Sequence, residues 1–279
     1  GCQGSTGPSS LAPDGKPYAL RFPMITVPDM VAAQRRLLDR LGIERLFAVA
    51  GGSMGGMQAL QWAVETPDRV RHLVFLASTP RSSAQQIAFN ETGRQAIYAD
   101  PHWNKGDYYG GPRPNGGLAV ARMVAHITYM SETSLDAKFG RRLQTHAALP
   151  YTFDEPEFAV ESYLSYQGDK FVQRFDANSY LYITKAIDYF DIGADYGSLE
   201  AAAERVAADS LVVSFSSDWL YPANEGQMLA RALEGEGRTV EYHHVQAPFG
   251  HDSFLVEVDR MTDVVGGYLV REWDAIEGF

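Results

Sequence analysis

The feature that most limits what this chain can become is Leu46-Phe-Ala-Val-Ala-Gly-Gly-Ser-Met-Gly-Gly-Met57. Its first five residues are a short continuous apolar run, suited to a strand buried in a parallel sheet. After the glycines, Met57, Leu60, Trp62, Ala63 and Val64 recur at helical spacing. Strand, glycine turn and helix are the context in which Gly51-x-Ser53-x-Gly55 reads as a nucleophile elbow. The glycines fit because so sharp a turn leaves no room for Cβ atoms beside the serine. The helix would start at Ser53, so the Met54 N–H and the helix dipole could hold a developing oxyanion. Two plainer readings compete. G-x-S-x-G arises by chance, and a glycine turn can also cradle phosphate. No lysine follows Gly56, so the phosphate-loop pattern G-x-x-x-x-G-K-[ST] is absent. A base and an acid later in the chain would decide the matter.

With 279 residues the chain can bury one large core with an inserted second unit. A net charge of −11 argues against nucleic acid or an anionic membrane as partner. No apolar run approaches membrane-spanning length, and no charged-then-apolar export signal opens the sequence. The one cysteine, Cys2, allows no internal disulfide and suits a reducing cytoplasm. No Cys/His cluster has metal-ligand spacing. His243 and His244, adjacent on an expected strand, point to opposite faces. Neither a metal nor a cofactor is expected.

Residues 1–28 read as loop, punctuated by five prolines. Asp29 is expected to cap a helix over 30–41, stopped by Gly42. Residues 72–77 form a second apolar strand, so the elbow lies in a strand–helix–strand crossover of a parallel sheet. The expected organisation is an α/β-hydrolase-type, mostly parallel sheet in two parts, 1–80 and 206–279, with a helical lid over 81–205 inserted between them. Within that insertion helical patterning falls on 82–99, 118–131, 156–166, 169–174 and 179–188. Beyond it come a strand at 210–215, a helix at 223–233, a strand at 239–245, and a closing helix at 254–273.

Open α/β sheets present ligands at the carboxyl ends of their strands. Ser53, Asp218 and His251 each follow such an end, in the chain order of the α/β-hydrolase triad. A serine hydroxyl needs a base to become nucleophilic; His251 would be that base and Asp218 would fix its tautomer. The other histidines are interior to expected helices or strands or lie in unrelated loops, whereas His251 follows Gly250 in a loop after the last strand.

With these residues placed, the chain resembles the homoserine O-acetyltransferase family of the α/β-hydrolase superfamily. The likeness runs nearly end to end, through Gly1-Cys-Gln-Gly-Ser-Thr-Gly-Pro8, Ala50-Gly-Gly-Ser-Met-Gly-Gly-Met-Gln-Ala-Leu60, Ala121-Arg-Met-Val-Ala-His-Ile-Thr-Tyr129, Arg174-Phe-Asp-Ala-Asn-Ser-Tyr180, Ser216-Ser-Asp-Trp-Leu-Tyr-Pro222 and Gly250-His-Asp252. The resemblance implies a ping-pong transfer of acetyl from acetyl-CoA to the hydroxyl of L-homoserine, a step of methionine synthesis. Acetyl-CoA is then a substrate rather than a cofactor. Ser53 matches the acylated nucleophile, His251 the base and Asp218 its orienter. Arg122, Tyr129 and Asp252 match residues that line the substrate site. A zwitterion such as homoserine needs one cation and one anion, and arginine binds carboxylate bidentately. The plainer alternatives are that Arg122 pairs with a nearby carboxylate and that Asp252 caps the last helix. The resemblance implies a homodimer, the usual state of the family, and further strands before the position of Gly1. The chain is therefore expected to be a fragment with an unpaired edge at the elbow strand, poorly soluble and nearly inactive alone. A succinyl donor, a serine acceptor or an esterase on the same fold are the rival functions.

Overall fold

The computed structural model describes residues 4–234 and 238–277. Cys2 and the first residues of the Gly1–Pro8 loop lie outside the described residues. In chain order come α1 (Val27–Arg40), β1 (Leu46–Gly52), α2 (Met54–Glu65), β2 (Val70–Leu76), α3 (Ala84–Ala99), α4 (Asn115–Tyr129), α5 (Glu132–Lys138), α6 (Ala159–Val172) and α7 (Ala177–Asp188). Then follow α8 (Leu199–Ala203), β3 (Asp209–Phe215), α9 (Ala223–Glu234), β4 (Val240–Val245), α10 (Ser253–Val256), α11 (Val258–Met261) and α12 (Gly267–Glu277).

These elements group into two compact units. The sheet unit comprises Thr26–Ser83 and the described residues from Tyr189 onward. Its four strands are all parallel and lie in sequence order, β1-β2-β3-β4. Leu211, Val213 and Phe215 of β3 join Val74, Val245 and Tyr268 in the core on one face. Val212 and Ser214 point the other way, against Gly226 of α9. β3, flanked on both sides, is buried from Ser210 to Phe215. β1 pairs with β2 alone among the described residues, and its residues are half-buried or exposed. β1 therefore lies at an edge of the sheet formed by the described residues.

The helical unit comprises the described residues through Ile25 and Ala84–Asp188. The N-terminal segment is tied to α7 because the Tyr182 hydroxyl donates to the carbonyls of Leu20 and Phe22, at 3.2 and 2.6 Å. A core of Ile97, Tyr108, Leu118, Ala121, Phe171 and Leu181 joins α3, α4, α6 and α7.

Three local expectations need correction. Thr26, not Asp29, caps α1; its Oγ1 accepts the Asp29 N–H while the Asp29 carboxylate accepts the Thr26 N–H at 2.9 Å. The reciprocal pattern is a capping box, legible as Thr-x-x-Asp. Residues 156–166 and 169–174 do not form two helices. α6 runs through Gly168, where the missing side chain lets Ala119 of α4 approach. The closing helix is broken, because Glu257 takes a non-helical ψ of 57° and residues 262–266 form a π turn before Gly267. Two adjacent glycines with low helix propensity, Gly266 and Gly267, mark that junction.

Candidate active site

The elbow is built from the end of β1 and the start of α2. Ser53 sits between them at φ 56°, ψ −126°, a backbone conformation that costs a non-glycine residue free energy and that recurs at functional sites. Four bonds hold it there. The Ser53 N–H donates to the Leu76 carbonyl at the end of β2 (3.0 Å), and the Ser53 carbonyl accepts from the N–H groups of Gly56 (2.9 Å) and Met57 (3.3 Å) and from the Ser78 hydroxyl (2.6 Å). The glycines are not equivalent. A Cβ on Gly51 would lie 2.0 Å from the Gly55 carbonyl oxygen, and one on Gly56 would lie 2.6 Å from Cβ of Ser78. A Cβ on Gly55 would meet nothing within 4 Å. Gly51 and Gly56 are therefore obligatory for close packing, whereas Gly55 is not. Met54 is the first residue of α2, so its N–H lies outside the intrahelical ladder.

Asp218 and His251 come from turns after β3 and β4. Asp218 is buried, and its carboxylate is fully engaged: Oδ1 accepts the N–H groups of Leu220 (3.0 Å) and Tyr221 (2.9 Å). Oδ2 lies 2.8 Å from Nδ1 of His251. Since an ionised carboxylate only accepts, Nδ1 carries the proton and Nε2 is left as the basic nitrogen. The loop bearing His251 is anchored from β3, because the Ser217 hydroxyl donates to the Ala247 carbonyl (2.5 Å) and accepts the Gly250 N–H (2.9 Å). The buried imidazole packs against Tyr221, ring centres 5.0 Å apart, and Phe254, 5.5 Å apart.

Phe254 also connects this pair to the elbow. Its ring is so close to Gly52 that a Cβ there would lie 2.5 Å from it. One ring thus packs against both the residue before Ser53 and the imidazole of His251. Sequence periodicity gives Phe254 only as the start of a helix; nothing in the pattern distinguishes this role from ordinary burial.

Among the remaining expected residues, Arg122 and Tyr129 lie on one face of α4, the guanidinium 5.6 Å from the tyrosine ring and 4.8 Å from that of Phe171. Nε of Arg122 is buried without a hydrogen-bond partner, and among the described residues Arg122 makes no ion pair. Asp252 holds the N-cap position of α10 but its side chain makes no capping bond.

The other histidines have different surroundings. His126, one turn beyond Arg122, is buried against Tyr129 and Tyr163, with Nδ1 3.3 Å from the Tyr163 hydroxyl and Nε2 unpartnered. Burial, then the charges of Arg122 and Lys138, push its pKa down to about 4. His72 is enclosed beside Tyr268, and burial lowers its pKa too. His102 sits at the buried carboxylate of Asp100 and His146 at the exposed one of Glu155.

A further buried network escapes sequence reasoning. The carboxylate of Asp176 accepts the hydroxyls of Tyr108 (2.5 Å), Tyr109 (3.0 Å) and Ser179 (3.0 Å). Burial and that carboxylate raise both tyrosine pKa values. The only advance sign is the unexplained density of polar residues in Arg174–Tyr180. Among the described residues no group of three or more His, Cys, Asp or Glu side chains could hold a metal ion, and no helix is long and apolar enough to cross a membrane.

This chain is similar to known proteins over nearly its whole length. A family model described as the alpha/beta hydrolase fold matches residues 1–258. The homoserine O-acetyltransferase of Solidesulfovibrio magneticus is 53% identical over 274 residues, which is 97% of this chain and 69% of that protein. The crystal structure of homoserine O-acetyltransferase from Bacillus anthracis superposes with a TM-score of 0.89 at 28% identity, covering 95% of this chain and 71% of that one. The crystal structure of esterase E22 superposes with a TM-score of 0.86, also at 28% identity, over 95% of this chain and 72% of that one.

Proposed function

This chain belongs to the homoserine O-acetyltransferase family of α/β-hydrolase-fold enzymes, and we propose that it moves an acetyl group from acetyl-CoA to the hydroxyl of L-homoserine by a ping-pong mechanism. The observation that supports this best is the 2.8 Å bond between Nδ1 of His251 and Asp218, which leaves Nε2 as a base packed on the same ring as the elbow. In the first half-reaction Ser53 Oγ attacks the thioester carbonyl as Nε2 takes its proton. The tetrahedral oxyanion is held by the Met54 N–H, and CoA leaves with the proton that His251 returns. In the second, His251 takes the proton of the homoserine hydroxyl, the alkoxide attacks the acyl-serine, and Ser53 recovers the proton as O-acetylhomoserine departs. Asp218 stabilises the imidazolium in both halves.

The acceptor is a zwitterion. Arg122, with no carboxylate of its own, has the chemistry to bind its carboxylate, with Tyr129 beside it; Asp252 has the charge for its ammonium. No cofactor or metal enters this scheme. A product feeding methionine synthesis and a CoA donor suit a cytoplasmic enzyme, and the family resemblance suits a homodimer.

Esterase activity is the second reading, favoured by the likeness to esterase E22. The two differ only in whether water reaches the acyl-serine. Mass spectrometry of the protein carrying this chain, after mixing with acetyl-CoA or succinyl-CoA, tests both readings. The expected result is an acetyl group on Ser53 that persists until homoserine is added. Loss of the acetyl group at the same rate without homoserine would make it an esterase. Labelling by succinyl-CoA alone would change the donor.

A further inference from the structure

In the sheet unit β1, β3 and β4 lead into Ser53, Asp218 and His251, whereas β2 leads into Ala77-Ser78-Thr79, which the mechanism above does not use. All three residues of that turn are buried. The Ala77 N–H still donates across to the Val213 carbonyl of β3 at 2.9 Å, yet Ala77 takes φ 44°, in the left-handed region that disfavours any residue with a Cβ. Strain of this kind persists where surrounding structure enforces it, and it gathers at functional sites. Here the residues on either side of Ala77 both hold Ser53. The Leu76 carbonyl accepts the Ser53 N–H at 3.0 Å, and the Ser78 hydroxyl donates to the Ser53 carbonyl at 2.6 Å.

Ser78 is not needed to satisfy that carbonyl. A carbonyl oxygen has two lone pairs, and the N–H groups of Gly56 and Met57 already donate to it, at 2.9 and 3.3 Å. The hydroxyl is a third donor, and the shortest. Gly56 makes room for it, since a Cβ there would lie 2.6 Å from Cβ and 2.8 Å from Oγ of Ser78. What the bond does follows from the peptide unit. The Ser53 carbonyl and the Met54 N–H belong to one planar trans peptide, so they point in opposite directions. Fixing the carbonyl along α2 therefore fixes the N–H facing out of the helix N-terminus. A donor on the carbonyl also draws charge from the amide nitrogen and strengthens its N–H as a donor in turn.

We infer that Ser78 is a positioning residue for the oxyanion donor, holding and polarising the Met54 N–H through the Ser53 carbonyl. This role rests on the reading of Ser53 as the acylated nucleophile. The neighbouring Thr79 does not share it, because its hydroxyl donates to the Arg81 carbonyl at 2.6 Å instead.

The test compares the wild type, S78A, S78C and T79V of the protein carrying this chain. A thiol has nearly the shape of the hydroxyl but is a weak donor, and T79V removes a buried hydroxyl of the same turn that serves Arg81. Acylation of Ser53 is followed in single turnover by mass spectrometry, over a range of acetyl-CoA and, separately, of p-nitrophenyl acetate, with thermal melts to show folding. S78A should acylate about tenfold more slowly at saturating acetyl-CoA with the half-saturating concentration unchanged, because only the transition state carries the oxyanion. S78C should fall between, and T79V should match the wild type; S78C carries the comparison if S78A does not fold. Ser53-Met54 is the one serine–methionine pair in the sequence. Carbonyl-labelled serine with amide-labelled methionine therefore isolates the Met54 N–H in nuclear magnetic resonance spectra, and its proton should move upfield in S78A. Acylation of S78A and S78C at the wild-type rate, an unmoved Met54 amide, or equal slowing in T79V overturns the role. Acylation by p-nitrophenyl acetate that S78A slows, with none by acetyl-CoA, would leave the role standing and remove the acetyl-CoA reading instead. A wild type that neither donor acylates removes Ser53 as nucleophile and the role of Ser78 with it.

Discussion

Two groups of buried polar side chains in this molecule are finished to different degrees. Around Asp218 and His251, both carboxylate oxygens have partners and the imidazole proton is assigned before any ligand arrives. Along α4 in the helical unit, Nε of Arg122 and Nε2 of His126 are buried with no partner at all. An unpartnered buried polar atom costs about 1–3 kcal/mol, so evolution has little reason to keep two on one helix face unless something else satisfies them in use. The first group is organised to do chemistry unaided; the second is organised to be completed. Chemistry and recognition thus carry different structural marks, and each can be broken separately.

The largest effects belong to the completed group. S53A should abolish acyl-enzyme formation, and D218N should lower kcat by about 10⁴-fold by favouring the wrong imidazole tautomer. Both are checked by single-turnover acetylation, with thermal melts showing that the fold persists. D218N acetylating at the wild-type rate would mean that the 2.8 Å contact has no catalytic part. Next come the elbow glycines. G51A drives a Cβ into the Gly55 carbonyl and should cost about 3 kcal/mol or more, whereas G55A meets open space and should change stability by less than ~1 kcal/mol. Urea midpoints for the two variants decide this. Equal losses would show that the elbow relaxes and that the motif's glycines are interchangeable.

The sequence makes the first group legible and the second only faintly so, for a physical reason. Nucleophile elbows depend on local sterics, and steric need is written into consecutive residues such as Gly51 and Gly56. The strand-end position of Asp218 follows from the apolar run before it, because a buried parallel strand must be apolar on both faces, whereas His251 follows a mixed, half-buried strand and stands out by its place after Gly250. Arg122 and Tyr129, in contrast, stand out only by resemblance; seven-residue spacing on a helix describes many unremarkable pairs. Phe254 leaves no trace in the pattern, since packing on a distant glycine is not periodic, and Asp176 shows only in the polar density of Arg174–Tyr180. Helix ends misled where tertiary contacts override propensity, as at Gly168, or where a capping box moves the start back to Thr26.

The recognition face gives a smaller, more specific effect. R122Q should raise KM for homoserine by about 10- to 100-fold while acetylation of Ser53 by the donor is nearly unaltered, because the carboxylate contact serves only the second half-reaction. R122K should recover part of the loss, since a lysine supplies charge without the bidentate fork. A fall in Ser53 acetylation equal to the rise in KM would instead assign Arg122 to the donor, blurring the division between the two groups.

The smallest expected effect is on stability, and it tests whether the face of α4 is unsatisfied without a ligand. His126 is held neutral in the folded protein, its pKa lowered from 6.5 to about 4 by burial and by Arg122 and Lys138, with Tyr129 and Tyr163 as its other neighbours. Between those two values the unfolded chain binds a proton that the folded chain does not, so stability rises with pH and is lost as pH falls from 6.5 towards 4. The full loss from this one group is on the order of 3 kcal/mol at most. His72, lowered for the same reason, adds a loss of the same sign, so H126Q should flatten the acid limb of the stability curve without levelling it. Urea titrations at pH 7, 6, 5 and 4.5 measure the slope. If H126Q and the wild type lose stability in parallel, the imidazole is already protonated or solvated when folded, and the contrast with the Asp218–His251 pair loses its basis.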